Sequence, residues 1–264
     1  MNVGDILDYF NEIAPWKYAE KWDNVGLMLG SRTNQVKKLM LCMDVTSKVI
    51  DDAIDQGTNL IVSHHPFLFT KLNTVDLDTM KGQQISALIK NNINVISAHT
   101  NLDVTVGGVN DTLAEVIGLT NCRILKSYIP EGIDVDMGMG KVGELISRLC
   151  FEEFISIVKK NLDICNLRLI GEPPKTVKKI AVFCGSFDVD LDIIKQHDVD
   201  VLITGDMKYH TALDVREMGL CFLDVGHFAS EHLIVNKLKM LLENRFDNLE
   251  IICSTLEKDP FIFS

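Results

Sequence analysis

The chain has 264 residues, 47% of them hydrophobic, and a formal net charge of −11. That is enough for one large domain or two modest ones, and the acidic balance disfavours broad, non-specific nucleic-acid binding. No run approaches the ~18–20 apolar residues of a membrane span, so no membrane role is expected.

The opening Met1-Asn2-Val3-Gly4-Asp5 has no basic region followed by an apolar one, so no signal peptide is read. Residues 3–13 form an amphipathic helix, with Ile6, Phe10 and Ile13 on one face. Trp16 and Trp22 follow and are expected to pack rather than to offer a stacking surface. Gly26-Leu27-Met28-Leu29 reads as a strand. Seven cysteines are scattered without a C-x-x-C pair, which suits reduced core thiols in a cytoplasmic protein.

Next comes a pattern that occurs twice. Lys37-Lys38-Leu39-Met40-Leu41-Cys42 is matched by Lys178-Lys179-Ile180-Ala181-Val182-Phe183, a shift of 141. The same shift carries Ala53 onto Ile194 and Leu60-Ile61-Val62-Ser63 onto Val201-Leu202-Ile203-Thr204. Each copy reads strand, amphipathic helix, buried strand, which is a βαβ unit with parallel neighbours. At a shift of 128, Asn94-Val95-Ile96-Ser97-Ala98-His99 lies opposite Phe222-Leu223-Asp224-Val225-Gly226-His227. The expected fold is α/β: two similar lobes with mixed, mainly parallel sheets, their strand ends turned to a shared cleft. Two ordinary α/β domains that merely look alike is the competing reading. The lobes are drawn at 1–125 and 176–264, with 126–175 as a connecting insert.

A long loop follows Phe67 and leads to a helix at 83–90, with Asp78 or Thr79 as its cap. A helix at 110–117 closes on Gly118. The Gly107-Gly108 turn before it is either a phosphate cradle or a plain helix entry. Gly138-Met139-Gly140-Lys141-Val142-Gly143 matches G-x-G-x-x-G, but Asp134 and Asp136 stand where a buried strand should precede a dinucleotide fingerprint. A helix is expected at 151–160, another at 230–242, and a last strand at Glu250-Ile251-Ile252-Cys253.

The chemistry concentrates at strand ends. In Ile61-Val62-Ser63-His64-His65-Pro66, proline stops the strand at two adjacent imidazoles. Strand alternation would turn them to opposite faces, which suits two neighbouring ions better than one. A hydrogen-bonded structural pair is the alternative. His99 is followed four residues later by Asp103, and His227 by Glu231. The candidate ligands are therefore His64, His65, Asp103, His227 and Glu231. This nitrogen and oxygen set suits two divalent transition-metal ions and does not choose among zinc, manganese, iron, cobalt and nickel. It contains no cysteine, unlike the closed shells of structural zinc, so an open hydrolytic site is favoured. His99 is a sixth ligand, an outer partner or a proton shuttle. His210, in Gly205-Asp206-Met207-Lys208-Tyr209-His210, is the second catalytic candidate, with a solvated helix start as the alternative.

Several of these segments together resemble one family. Trp22-Asp23-Asn24-Val25-Gly26-Leu27, Ser63-His64-His65-Pro66, His99-Thr100-Asn101-Leu102-Asp103, the glycine run at 138–143, Thr204-Gly205-Asp206 and Gly226-His227-Phe228-Ala229-Ser230-Glu231 are similar to those of the NIF-three-like dinuclear-metal proteins, also labelled GTP cyclohydrolase 1 type 2 homologues. The resemblance covers nearly the whole chain. It implies two α/β lobes around a two-metal site, a toroidal homohexamer, and ligands at His64, His65, Asp103, His227 and Glu231. Two positions depart from the pattern: Lys141 stands where the family tends to have arginine, and Cys184-Gly185-Ser186-Phe187 where it has a richer glycine turn. The implied activity is a metal-dependent hydrolase that opens a purine nucleotide ring, with a small-molecule substrate. The alternatives are a metal-dependent phosphoesterase and a metal-binding, ring-shaped scaffold or nucleic-acid-binding protein.

Overall fold

A computed structural model describes residues 1–128 and 137–262. Asp134 and Asp136 lie outside the described residues. The chain divides into two units, one of residues 1–102 and 234–258, the other of 103–233 and 259–264. These bounds differ from those read at 125 and 175, because residues 234–258 return to the first unit and the expected connector belongs to the second.

In the first unit, helix α1 (Val3–Ile13) starts at a capping box in which Asn2 and Asp5 bond each other's backbone. Strand β1 (Gly26–Leu29) and strand β2 (Lys38–Cys42) precede α2 (Ser47–Asp55), which is capped by Thr46. Then come β3 (Leu60–Ser63), α3 (Met80–Lys90) and β4 (Asn94–Ser97). Thr79 is the cap of α3, accepting from the Gly82 amide. The short helix α4 (Thr100–Val104) crosses the division between the units.

The second unit contains α5 (Val109–Ile117), β5 (Thr120–Ser127), β6 (Gly138–Cys150), α6 (Phe151–Asn161), β7 (Arg168–Ile170), β8 (Thr176–Ser186), α7 (Leu191–His197), β9 (Val201–Gly205), α8 (Tyr209–Glu217), β10 (Phe222–Asp224) and α9 (His227–Glu231). The helix expected at 230–242 is in fact two. After His232 the chain enters α10 (Leu233–Arg245), which leads to β11 (Glu250–Cys253).

Both sheets are mixed. The first runs β1-β4-β3-β2-β11, with β11, β2, β3 and β4 parallel and β1 antiparallel at the edge. The second runs β5-β6-β8-β9-β10-β7, with β8, β9 and β10 parallel. The repeat is visible in the register. Leu39 pairs with Leu60 in the first sheet, and the residues one shift onward, Ile180 and Val201, pair in the second. These strands are continuous apolar runs because helices cover the parallel part of such a sheet. Met40, Ile50, Ile61, Leu88 and Val95 fill one core; Ala181, Ile194, Leu202, Val215 and Phe222 fill the other.

The glycine run at 138–143 lies inside antiparallel β6, not in a strand-to-helix turn. Lys141 on that strand is buried and pairs with Asp111 at 3.0 Å. Asp111 also accepts the Gly107 amide at 2.9 Å. The Gly107-Gly108 turn is thus a helix entry closed by its own carboxylate, not a phosphate cradle. Three cysteines expected in the core are exposed instead: Cys122 and Cys150 on strands near the sheet edge, and Cys165 in the loop after α6. No helix among the described residues is long and apolar enough to cross a membrane.

Candidate metal centre

In the first unit the doublet sits just past the end of β3, where His64 is fully buried. Its Nδ1 lies 2.9 Å from the Ala98 carbonyl oxygen. A carbonyl only accepts, so Nδ1 carries the proton and Nε2 keeps a lone pair for a metal. His65 Nδ1 lies 2.9 Å from Asp44 Oδ1, and His99 Nδ1 lies 2.9 Å from Asp23 Oδ1. The same logic puts the proton of each ring on Nδ1.

The three imidazoles of this unit converge. Ring centroids are 5.0 Å apart for His64 and His65, 5.3 Å for His64 and His99, and 5.5 Å for His65 and His99. Each offers a ligand nitrogen within 4.8 Å of the others. Strand alternation therefore does not separate the doublet as expected, because β3 ends at Ser63 and the histidines lie in the bend beyond it.

Behind these rings stand charged partners. Asp23 also accepts from the Thr100 amide at 3.0 Å and its hydroxyl at 2.5 Å. Burial opposes ionisation of Asp23, yet the bond and charge of His99 and the Thr100 bonds outweigh it and hold the carboxyl below its ordinary value. Glu257 accepts the amides of Met43 at 2.8 Å and Asp44 at 2.5 Å, fixing the loop that carries Asp44. Burial pushes Glu257 up, against those backbone bonds.

In the second unit, His227 opens α9 and Glu231 closes it. His227 Nδ1 lies 2.8 Å from Asp206 Oδ2, and its Nε2 lies 2.9 Å from Glu231 Oε2. Asp103 and Glu231 offer oxygens within 4.8 Å of each other. Ser230 fixes α9 to the end of β8 by accepting the Gly185 amide at 3.0 Å and donating to the His227 carbonyl at 2.8 Å. Asn110 spans the Cys184 amide and the Asp103 carbonyl, at 3.0 and 3.1 Å.

Glycine matters most at 185. Its φ is +65°, and a Cβ built there would lie 2.1 Å from Glu231 Oε1. The carboxylate fills the space a side chain would take. Asp206 likewise adopts φ +47°, a left-handed conformation that aspartate tolerates, to face His227.

The buried Cys184 thiol beside these carboxylates is not a ligand candidate. Burial first, then the charges of Glu231, Asp103 and Asp111, push it well above its ordinary value, so it stays protonated.

His210 is exposed at the start of α8, its ring 5.4 Å from that of Tyr209, and belongs to none of the donor groups among the described residues. The orienting acids Asp23, Asp44 and Asp206 were not singled out from sequence. The signal that finds two of them is position: Asp206 directly follows the end of parallel β9, and Asp44 stands two residues past the end of parallel β2. Trp16 stacks on Phe10 as expected, but Trp22 is 61% exposed, with its ring 6.0 Å from that of His99.

Fold and donors together define an α/β protein of two mixed sheets whose strand ends carry anchored imidazoles and carboxylates able to hold a metal ion. The comparisons agree. The chain belongs to the Duf34/NIF3 (NGG1p interacting factor 3) family, which matches residues 1–260. It is 42% identical over 264 residues to a Clostridium perfringens protein named GTP cyclohydrolase 1 type 2 homolog, covering all of both chains. A Clostridium acetobutylicum protein of the same name is 36% identical over 267 residues, covering all of this chain and 99% of that one. Among solved structures, a Bacillus cereus protein related to NIF3 superposes with a TM-score of 0.90 at 26% identity, covering 100% of this chain and 99% of the other.

Proposed function

We propose that this chain is a dinuclear metal-dependent hydrolase, with hydrolytic opening of a purine nucleotide ring as its reaction. His64, His65, Asp103, His227 and Glu231 would hold two divalent transition-metal ions. The observation that carries this reading is the anchoring of all four rings. In His64, His65, His99 and His227, Nδ1 faces an oxygen acceptor at 2.8–2.9 Å, the outer-partner arrangement of metal-binding histidines. An anchored Nδ1 fixes the orientation of each ring, and in His227 the Nε2 so oriented meets the Glu231 carboxylate at 2.9 Å.

When bound, a pair of such ions brings the pKa of water near neutrality and polarises the bond to be cleaved. The chain's residues do the rest. Asp23 fixes the tautomer and orientation of His99, so that Nε2 of this ring takes and returns protons. Gly185 keeps open the space that the Glu231 carboxylate occupies. His210 stands on α8 as a contact for an anionic substrate arriving from solvent. The names of the Clostridium relatives support GTP as the first substrate to assay.

The test is direct. The purified chain is loaded in turn with zinc, manganese, iron, cobalt and nickel, and its metal content is measured by elemental analysis. About two ions per chain and conversion of GTP to a formamidopyrimidine product are expected. The double variant His64→Ala with Glu231→Ala should lose both. Full metal occupancy in that variant overturns the site. GTP left intact under every metal overturns the named reaction, and phosphate release instead favours a phosphoesterase. Light scattering of the same sample tests the homohexamer proposed for the family.

A further inference from the structure

Trp22, Asp23 and Asn24 are consecutive, and each does something different. Asp23 orients His99. Asn24 donates its side-chain amide to the Leu68 carbonyl at 2.6 Å and reaches Met28 Sδ at 3.5 Å. This ties the loop before Phe69 to the segment that carries Trp22. The two aromatic rings are thereby held 5.9 Å apart at an interplanar angle of 53°. Both stand edge-on to the same imidazole: Trp22 is 6.0 Å and Phe69 6.1 Å from the His99 ring.

Both rings also face solvent, Trp22 at 61% and Phe69 at 59% exposure. A single exposed aromatic is ordinary. Two in contact, each beside a metal-type histidine and fixed through backbone-directed bonds from one tripeptide, are not explained by packing. Both side chains are more than half exposed, while Asn24 ties together the two segments that carry them. Every nucleobase has a π face, and stacking on aromatic side chains is how proteins hold one without reading its edge.

We propose that Trp22 and Phe69 form a stacking subsite for a planar heteroaromatic ring, the purine of the substrate, held beside His99. The choice of a purine rests on the hydrolase reading above; the subsite itself rests on the aromatic geometry. Stacking here supplies affinity and places the ring near the imidazoles, whereas specific recognition of the purine edge falls to other groups.

The experiment uses the full chain carrying Trp16→Phe, which leaves Trp22 as the sole tryptophan. Trp16 packs on Phe10, so the substitution keeps an aromatic in place. Trp22 fluorescence is titrated with guanosine and, separately, with ribose 5-phosphate, in metal-free and metal-loaded protein. Saturable quenching by guanosine and none by ribose 5-phosphate is expected. Adding Phe69→Ala should weaken guanosine binding on the order of tenfold. An absent quench, an equal response to ribose 5-phosphate, or unchanged affinity in the Phe69→Ala protein overturns the subsite. So does blue-shifted, unresponsive Trp22 emission, which would mean that a second copy covers the ring. Guanosine binding without GTP hydrolysis would sink the hydrolase and leave the subsite. Turnover of GTP with no Trp22 response would do the reverse.

Discussion

The two units carry the same βαβ unit to different chemical ends. In the first, the ends of β3 and β4 deliver three imidazoles; Asp44 and Asp23 stand behind two of them as orienting acids. In the second, the matched ends deliver one imidazole and a carboxylate. The 141-residue shift carries His65 onto Asp206 and Asp44 onto Gly185. At one matched position, then, a ligand-type histidine has become the acid that orients a histidine. At the other, an orienting acid has become a glycine that makes room for Glu231. One scaffold thus yields a neutral nitrogen donor set and an anionic oxygen-rich one. Hard oxygen ligands and borderline imidazoles in the same protein suit divalent first-row ions better than either set alone.

The sharpest way to break that comparison is Gly185→Ala. The added methyl meets the Glu231 carboxylate, and the backbone sits at φ +65°. Crowding alone should cost about 1–3 kcal/mol of stability, read by urea denaturation. Metal content should fall in the same protein, because Glu231 must move. Asp44→Gly at the matched position of the first unit creates no clash, so although it too weakens metal binding by releasing His65, it should lose less stability than Gly185→Ala. Equal losses of stability in the two variants would show that Gly185 makes no special room.

The next effect is smaller and compares the orienting acids. Asp44→Asn and Asp206→Asn each weaken the anchor of one histidine while keeping the shape of the side chain. Each should lower metal affinity by about 10- to 100-fold, measured by competition with a chelating dye. His64 supplies the contrast, because its anchor is the Ala98 backbone carbonyl and no side-chain substitution removes it. If both variants bind metal as tightly as the parent, the anchored-ring argument fails in both units at once.

Much of this was readable from the residues. The duplicated strand–helix–strand pattern survives as register, and the histidine doublet directly follows β3, whereas Asp103, His227 and Glu231 sit on the short helices α4 and α9. What escaped was information that local patterns do not carry. Glu250 pairs with Lys38 across more than 200 residues, and nothing in Glu250-Ile251-Ile252-Cys253 says which sheet it joins. Residues 126–175 looked like a connector because β6 is antiparallel and breaks the repeat, although it pairs directly with β8. The orienting acids resemble ordinary solvated turn residues until their histidines are in view. The general rule that large aromatics serve burial fails at Trp22, which is 61% exposed beside the His99 ring.

The smallest predicted effect is one of pH, in metal-free protein. Asp23 has its carboxyl depressed in the folded chain, because the His99 and Thr100 interactions outweigh burial. A depressed acid stabilises the fold above its unfolded value, near 3.8, and that contribution is lost as pH falls through the lower folded value. Asp23→Asn cannot titrate, so its Tm should drop less than the parent's between pH 5 and pH 3. At pH 7 the variant should be the less stable of the two, since the parent's carboxylate is fully ionised and fully bonded there. Parallel melting curves across that range would mean that Asp23 gains nothing from His99, and that the first unit's third imidazole is held by packing alone.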